Sequence, residues 1–246
     1  MPHFFISPDD IHGTSFRLQG PEARHIARVL RHVPGDEIEL FDGTGKAYRA
    51  RIDTIDGDDI RGTVVSERTA PHARLRISLY QAVPKGDRFD WLVEKIAELG
   101  VDTVIPLITE RSVLKEFSEA KIERWRRLSQ AASKQSGRND ILTVAKPLLF
   151  NDALTMIKQE SFNIIPWESE QSVSIPDSWL PERTTREASI FIGPEGGFTL
   201  DEINAAKKAG VLPVSLGNRI LRSETAGLTA VILTLRLGGE FTVMNS

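Results

Sequence analysis

The chain has no cysteine among its 246 residues, which removes disulfides, thiolate zinc sites, iron–sulfur clusters and cysteine nucleophiles together. A reducing compartment suits such a composition. Histidine is scarce: His3, His12, His25, His32 and His72 show no metal-ligand spacing, so no metal is expected. Long hydrophobic runs are missing too. The longest nearly apolar stretch, Ala226 to Leu235, contains two threonines and is about half of the roughly 20 residues a membrane helix needs. The opening Met1-Pro2-His3-Phe4-Phe5-Ile6-Ser7-Pro8-Asp9-Asp10 lacks a basic n-region and meets acid and proline early, so it does not read as a signal peptide. The expectation is a soluble, cytoplasmic protein without a membrane partner. Neither charge prevails, since 31 Lys+Arg oppose 34 Asp+Glu for a net charge of −3. Any nucleic-acid partner must be argued from where the charges sit.

The length suggests two domains. Up to residue 72 the chain reads as short β-runs, Glu37–Phe41, Ala47–Ile52 and Ile60–Val65, split by the turn sequences Pro34-Gly35-Asp36, Asp42-Gly43-Thr44-Gly45 and Asp56-Gly57-Asp58-Asp59. That is the pattern of a small β-barrel or sandwich. One helical window interrupts it, Pro21 to Val33, with Ile26, Val29, Leu30 and Val33 recurring at helical spacing. Over 73–246, beyond a joint at Thr69–Arg74, the rhythm becomes strand and helix in alternation. Strands are predicted at Leu75–Val83, Val101–Ile108, Asn163–Pro166, Ser189–Ile192 and Pro213–Leu216, and helices at Phe89–Leu99, Ser118–Gln135, Asp152–Gln159, Leu200–Ala209 and Glu224–Leu237. The alternation implies an α/β domain with a mainly parallel sheet. Its best-marked helix starts at a capping box, Thr199 with Glu202, with Phe198 and Ile203 as a hydrophobic staple and Gly210 beyond its end. The polar stretch Glu168–Glu187 reads as weakly ordered.

Two segments carry the chemistry. Ile192-Gly193-Pro194-Glu195-Gly196-Gly197-Phe198 leaves a strand and enters the capped helix, where open α/β sheets bind ligands on backbone amides. It matches neither the dinucleotide fingerprint nor a P-loop, and a tight turn would also use such glycines. Leu216-Gly217-Asn218-Arg219-Ile220-Leu221-Arg222-Ser223-Glu224-Thr225-Ala226 again joins a strand to a helix, with Ser223 as the expected N-cap. Two such strand-end loops suggest one pocket, for which Ile165-Pro166-Trp167 offers a third wall. In the first domain Arg24, Arg28 and Arg31 fall on one helical face with Arg17 nearby, and Glu22 is the only acid in the window. The stripe suits RNA or DNA phosphates, although an arginine face is also an ordinary solvated face. Lys121, Arg124, Arg126, Arg127, Lys134 and Arg138 form a second basic cluster, diluted by Glu119 and Glu123.

Taken together, Arg24–Arg31 with Pro34-Gly35-Asp36, Gln81 with Lys85-Gly86-Asp87, Trp91, Glu94–Gly100, Glu110-Arg111-Ser112, Gln135-Ser136-Gly137-Arg138, Ile192–Phe198 and Leu216–Ala226 resemble the ribosomal RNA small-subunit methyltransferase E family of trefoil-knotted SPOUT methyltransferases. The resemblance implies an N-terminal PUA-like β-barrel that helps bind RNA and a knotted C-terminal α/β domain holding S-adenosyl-L-methionine. It implies methylation of N3 of one uridine in 16S rRNA, on the assembled small subunit and by a homodimer. Carried onto this chain, Ile192, Gly193, Pro194, Glu195, Gly196 and Gly197 would wrap the cofactor with Leu216, Gly217, Ile220, Leu221 and Arg222, while Ile165 and Pro166 close the third side. Arg17, Arg24, Arg28 and Arg31 would touch RNA. His3, Lys134 and Ser223 depart from the family pattern, which has Arg, Glu and Thr there; serine keeps the hydroxyl.

For such chemistry Arg222 is expected to stabilise charge on a uracil carbonyl oxygen as the N3 proton leaves, with Glu195, Glu224 or hydroxide as proton acceptor. Two rivals stand beside it. One is a non-catalytic RNA-binding assembly factor of the same fold; the other is a nucleotide-dependent enzyme with phosphate on Gly193–Gly197, against which the missing Lys and Ser/Thr weigh.

Overall fold

The computed structural model describes residues 3–69, 75–175 and 186–241. The described chain divides into two compact units, 3–69 with 133–141, and 75–132 with 142–175 and 186–241. The joint expected at Thr69–Arg74 lies, beyond Thr69, outside the described residues.

The first unit contains β1 (His3–Phe5), β2 (Ile11–His12), β3 (Ser15–Gln19), α1 (Pro21–Arg24), β4 (Glu37–Phe41), β5 (Lys46–Asp56) and β6 (Asp59–Thr69). Its six strands pair in the order β1-β4-β5-β6-β3-β2, parallel only between β1 and β4. Alternate residues of β3 and β4 face inward, as a half-buried strand requires, placing Phe16, Leu18, Ile38 and Leu40 against Phe4 and Ile60. The β5–β6 hairpin shifts register between Arg49 and Ala50 and between Ile52 and Thr54, and such bulges curl a long hairpin around a core. Asp42 fixes the following turn by accepting from the Thr44 amide at 2.8 Å and the Tyr48 hydroxyl at 2.9 Å. Residues 133–141 join this turn through amide bonds from Gly45 to Asn139 O and from Ile141 to Gly43 O, both 3.1 Å.

The window from Pro21 to Val33 is not one amphipathic helix. After α1 the backbone widens into a π-turn over His25–Val29, and Arg31 stands at φ 58°. A wider turn abandons the 3.6-residue period, so Ile26 is buried while Val29 and Val33 are 67% and 57% exposed.

The second unit follows the expected alternation: β7 (Arg76–Ala82), α2 (Arg88–Leu99), β8 (Thr103–Ile108), α3 (Glu119–Gln135), β9 (Thr143–Val144), β10 (Leu148–Leu149), α4 (Phe150–Thr155), β11 (Phe162–Pro166), β12 (Glu187–Ile192), α5 (Leu200–Lys208), β13 (Leu212–Val214) and α6 (Ser223–Leu237). Every strand pair is parallel, in the order β10-β8-β7-β12-β11-β13 with β9 also on β8. Both faces are covered, as parallel sheets require. Leu79 and Ile190 pack against Phe89 of α2, Trp125 of α3 and Val231 of α6. The opposite face places Tyr80 and Phe191, stacked at 4.4 Å, against α4 and α5. Helix α4 begins at Phe150 and ends at Thr155, earlier than the expected 152–159, because Phe150, Ala153 and Leu154 already supply its buried face.

Candidate functional site

Strands β12, β11 and β13 are parallel neighbours, so their carboxyl ends open at one edge of the sheet, where ligand sites of such sheets lie. The three segments singled out from the sequence leave from these ends: Ile165 and Pro166 from β11, Ile192 to Gly197 from β12, and Leu216 to Arg222 after β13. The Trp167 amide donates to Val214 O at 3.0 Å, fastening the first to the third. Ile165, Ile192 and Pro194 are buried, whereas Glu195, Gly196, Gly217 and Arg222 are exposed. Past Gly197 the capping box forms as expected: Thr199 Oγ1 accepts from the Glu202 amide, and Glu202 accepts from the Thr199 amide.

Ser223 does not cap α6. Arg222 occupies the N-cap with ψ 153°, making Ser223 the first helical residue. Its hydroxyl donates to Gly193 O at 2.6 Å and accepts from Gln81 Nε2 at 2.9 Å. The chain Gln81–Ser223–Gly193 thereby ties β7, the start of α6 and the first loop together. Gln81 is wholly buried, and its Oε1 has no partner among the described atoms. Gly227 lies directly against it, where a Cβ would come within 2.3 Å of Gln81 Oε1.

A charged group that the sequence reasoning passed over sits beside these loops. Arg88, at the start of α2, reaches Glu195 Oε1 at 3.5 Å through Nη1 and Glu224 Oε1 at 3.8 Å through Nε. Glu195 Oε1 also accepts from the Lys85 amide at 3.1 Å. Arg111 Nη1 donates to Gly196 O at 2.7 Å. No spacing signal links Arg88 or Arg111 to these partners, which come from distant parts of the chain; Arg111 belongs to the motif Glu110-Arg111-Ser112, whereas Arg88 lies just outside Lys85-Gly86-Asp87. Arg222 has no ion pair among the described residues.

The loops keep backbone groups and one apolar side chain available to a ligand. Gly197 has φ +67°, a conformation that side chains rarely adopt, which is why glycine stands at this turn. Within the described hydrogen bonds, none is donated by the amides of residues 218–221, which leaves those donors for a ligand. Ile220 is 93% exposed, an apolar side chain that a bound molecule would cover. A cavity of about 620 Å³ lies elsewhere, lined by Thr109, Glu110, Asp152, Asp201 and Glu202 among others, and includes none of the expected cofactor residues.

The basic face of the first unit is less free than its sequence suggests. Arg24 and Arg28 both pair with Asp58, at 2.8 and 3.0 Å, and Arg17 pairs with Asp59 at 2.7 Å. The hydrogen bond from Arg24 holds the Asp58 carboxyl below its usual range, and Arg17 does the same for Asp59. These acids lie some thirty or more positions along the chain, Asp58 in the turn between β5 and β6 and Asp59 at the start of β6, outside any helical window. Arg31 is exposed and has no described ion pair. In the second cluster Arg124 pairs with Asp90, Arg126 with Glu123, and Arg138 with Asp140. Lys134 pairs with Glu22 at 2.6 Å and lies over the Phe4 ring, while His3 stacks on Phe41 at 4.2 Å, so both departures have local partners.

Part of the stretch expected to be weakly ordered is anchored: the Ser215 amide donates to Val173 O at 2.7 Å, and Glu170 accepts from the Ser172 and Val173 amides. Residues 176–185 lie outside the described residues.

Residues 71–235 match the family model of an RNA methyltransferase domain, and residues 18–65 that of an RNA methyltransferase PUA domain. A ribosomal RNA small subunit methyltransferase E of Synechocystis sp. is 33% identical over 230 residues, covering 92% of this chain and 74% of the relative. This chain belongs to the ribosomal RNA small subunit methyltransferase E family. The Bacillus subtilis member is 31% identical, with 88% of each chain covered. Among solved structures, the small subunit methyltransferase E of Neisseria gonorrhoeae, bound to S-adenosyl methionine, aligns with a TM-score of 0.86 at 33% identity, covering 98% of this chain and 100% of that one. The PUA segment falls within the β-rich unit, and the methyltransferase segment covers the parallel α/β unit together with residues 133–141 of the first.

Proposed function

We propose that this chain transfers a methyl group from S-adenosyl-L-methionine to N3 of one uridine in 16S rRNA of the small ribosomal subunit. The observation that carries this reading is the full-length likeness to a cofactor-bound relative, joined to two loops whose glycines and unspent amides suit the same cofactor. In this reading the segments 193–197 and 216–222 form the knotted cradle, with Ile165 and Pro166 on its third side. When bound, the cofactor supplies an electrophilic methyl on a sulfonium. The protein then has to position the base and remove its N3 proton. A base inside a stacked helix is out of reach, so the target uridine is taken out of its stack. Arg222, exposed at the mouth and without an ion pair among the described residues, stabilises charge on a uracil carbonyl oxygen, and a carboxylate of the pair Glu195 and Glu224 is available for the proton.

RNA contacts fall to Arg17, Arg24, Arg28 and Arg31. Phosphates must compete with Asp58 and Asp59 for the first three, which makes those acids a brake on RNA affinity. Asp58→Asn releases Arg24 and Arg28, so RNA affinity at low salt rises roughly threefold to tenfold. The slope of log affinity against log salt steepens by about 1 to 2. Filter binding across a salt series reads both, and an unchanged slope removes these arginines from the interface.

The chain works as a cytoplasmic homodimer in this account. Ile232 and Leu233 of α6 and Trp91 of α2 are 39%, 41% and 43% exposed, an apolar surface on two helices that pack together, and such a patch suits a second copy. Among the described residues no helix is long and apolar enough to cross a membrane. Calorimetry with S-adenosylmethionine, run beside sedimentation, tests the reading: saturable binding by a dimer supports it. Absence of binding returns the chain to the non-catalytic class.

A further inference from the structure

Neutral uracil is a poor nucleophile at N3, so a group of the site must take its proton. The structure distinguishes the two carboxylates. Glu195 is exposed, and its Oε1 is already engaged by the Lys85 amide at 3.1 Å and by Arg88 at 3.5 Å. Glu224 is only 8% exposed. Its Oε1 faces Arg88 Nε at 3.8 Å, while its Oε2 is buried with no partner among the described atoms. A buried acceptor without a donor is costly, and more so when charged. Such groups persist at sites where a ligand supplies the missing partner. A uracil offers one N–H at the position to be methylated.

Resting on the functional reading above, we infer that Glu224 is the catalytic base and that Arg88 is its positioning residue. Glu224 Oε2 accepts the N3 hydrogen bond of the bound uracil and then the proton. The N3–H electron pair remains on nitrogen and forms the bond to the methyl carbon, while the pair of the breaking carbon–sulfur bond stays on sulfur. Arg88 holds the other oxygen, fixing which one faces the base. Its second link, to Glu195, couples that orientation to the glycine loop. Ser223 stands next in the chain and is pinned to Gly193 O, so the first turn of α6 has little freedom to move Glu224 away.

The test compares rates on small subunits reconstituted with 16S rRNA transcribed from uridine or from 5-fluorouridine, whose electron-withdrawing fluorine makes N3–H more acidic. Glu224→Gln is expected to slow methyl transfer to uridine at least 100-fold, and on 5-fluorouridine the deficit shrinks to within about tenfold. Glu195→Gln, whatever its rate, shows the same deficit on both RNAs. Arg88→Ala lowers kcat more than it raises KM, and Arg88→Lys restores part of the loss. Two readouts do not need turnover. Calorimetric affinity of Glu224→Gln for S-adenosylmethionine stays within about threefold of wild type, and its melting temperature is no lower, since the buried oxygen without a partner loses its charge while only the 3.8 Å link to Arg88 is given up. Equal deficits of Glu224→Gln on both RNAs, a fall in its melting temperature, or fluorouridine rescue of Glu195→Gln would overturn the assignment. Absence of N3 methylation by the wild-type protein overturns the functional reading itself, and this assignment with it.

Discussion

Arg222→Ala lowers the rate of methyl transfer about 100-fold to 1,000-fold while the affinity for S-adenosylmethionine stays within about threefold. The magnitude is that of removing one preorganised donor aimed at developing charge. The separation follows from position. Arg222 contributes its backbone to the N-cap of α6, and alanine preserves that role because no side-chain bond caps the helix there. Its guanidinium is exposed at the end of the 216–222 loop and has no ion pair among the described residues, so folding leaves the charge unspent. An alanine variant therefore keeps the loop and loses the cation. Single-turnover rates beside calorimetric titration give both quantities, and a parallel loss of rate and affinity makes Arg222 a cofactor ligand instead.

Gly227→Ala reverses the usual sign for a glycine inside a helix. Replacing an interior helical glycine by alanine ordinarily stabilises by roughly 0.5–1 kcal/mol. Here the added Cβ would come within 2.3 Å of Gln81 Oε1, and Gln81 is wholly buried with its amide nitrogen committed to Ser223 and to Ala82 O. The side chain has nowhere to retreat. Overpacking costs of about 1–3 kcal/mol add to the loss of one or two buried hydrogen bonds at about 1 kcal/mol each. The steric term wins, for a net loss of about 3 kcal/mol and a melting temperature lower by roughly 10 °C. Because Ser223 Oγ also holds Gly193 O, the same change loosens the first loop and weakens cofactor binding. In a Gln81→Ala background the added methyl has space, so the double variant recovers stability relative to Gly227→Ala alone. Thermal melts of the three variants check this; independent, additive losses would show that Gln81 is not the obstacle.

The parallel sheet was readable because each strand is a short apolar run bounded by turn chemistry, and the helices between have clear periods. Helix α5 carried its own punctuation in Thr199, Glu202 and Gly210, and its start falls where the sequence puts it. The loops at Gly193–Gly197 and Leu216–Arg222 were also legible, since glycines at strand ends have few other uses. Elsewhere local rules lost to contacts made at long range. The apolar period of Ile26, Val29, Leu30 and Val33 is a true helical pattern, yet a π-turn and the positive φ of Arg31 take all but the first out of the core. The arginine stripe looked free because Asp58 and Asp59 sit at the turn of the β5–β6 hairpin and the start of β6, which no helical window includes. Ser223 looked like a cap because serine prefers that position, while the fold gives its hydroxyl to Gly193, thirty residues earlier. Arg88 carried no local mark of its role: its partners, Glu195 and Glu224, are brought to it only by the order of strands in the sheet.

The central claim is that these loops and charges serve N3 methylation of a uridine in the small subunit. Its most direct test is transfer of labelled methyl from S-adenosylmethionine to small subunits taken from a strain lacking this protein, with the modified nucleoside identified by mass spectrometry. The account predicts one N3-methyluridine per 16S rRNA. Label on another nucleoside, or none despite cofactor binding, would contradict it.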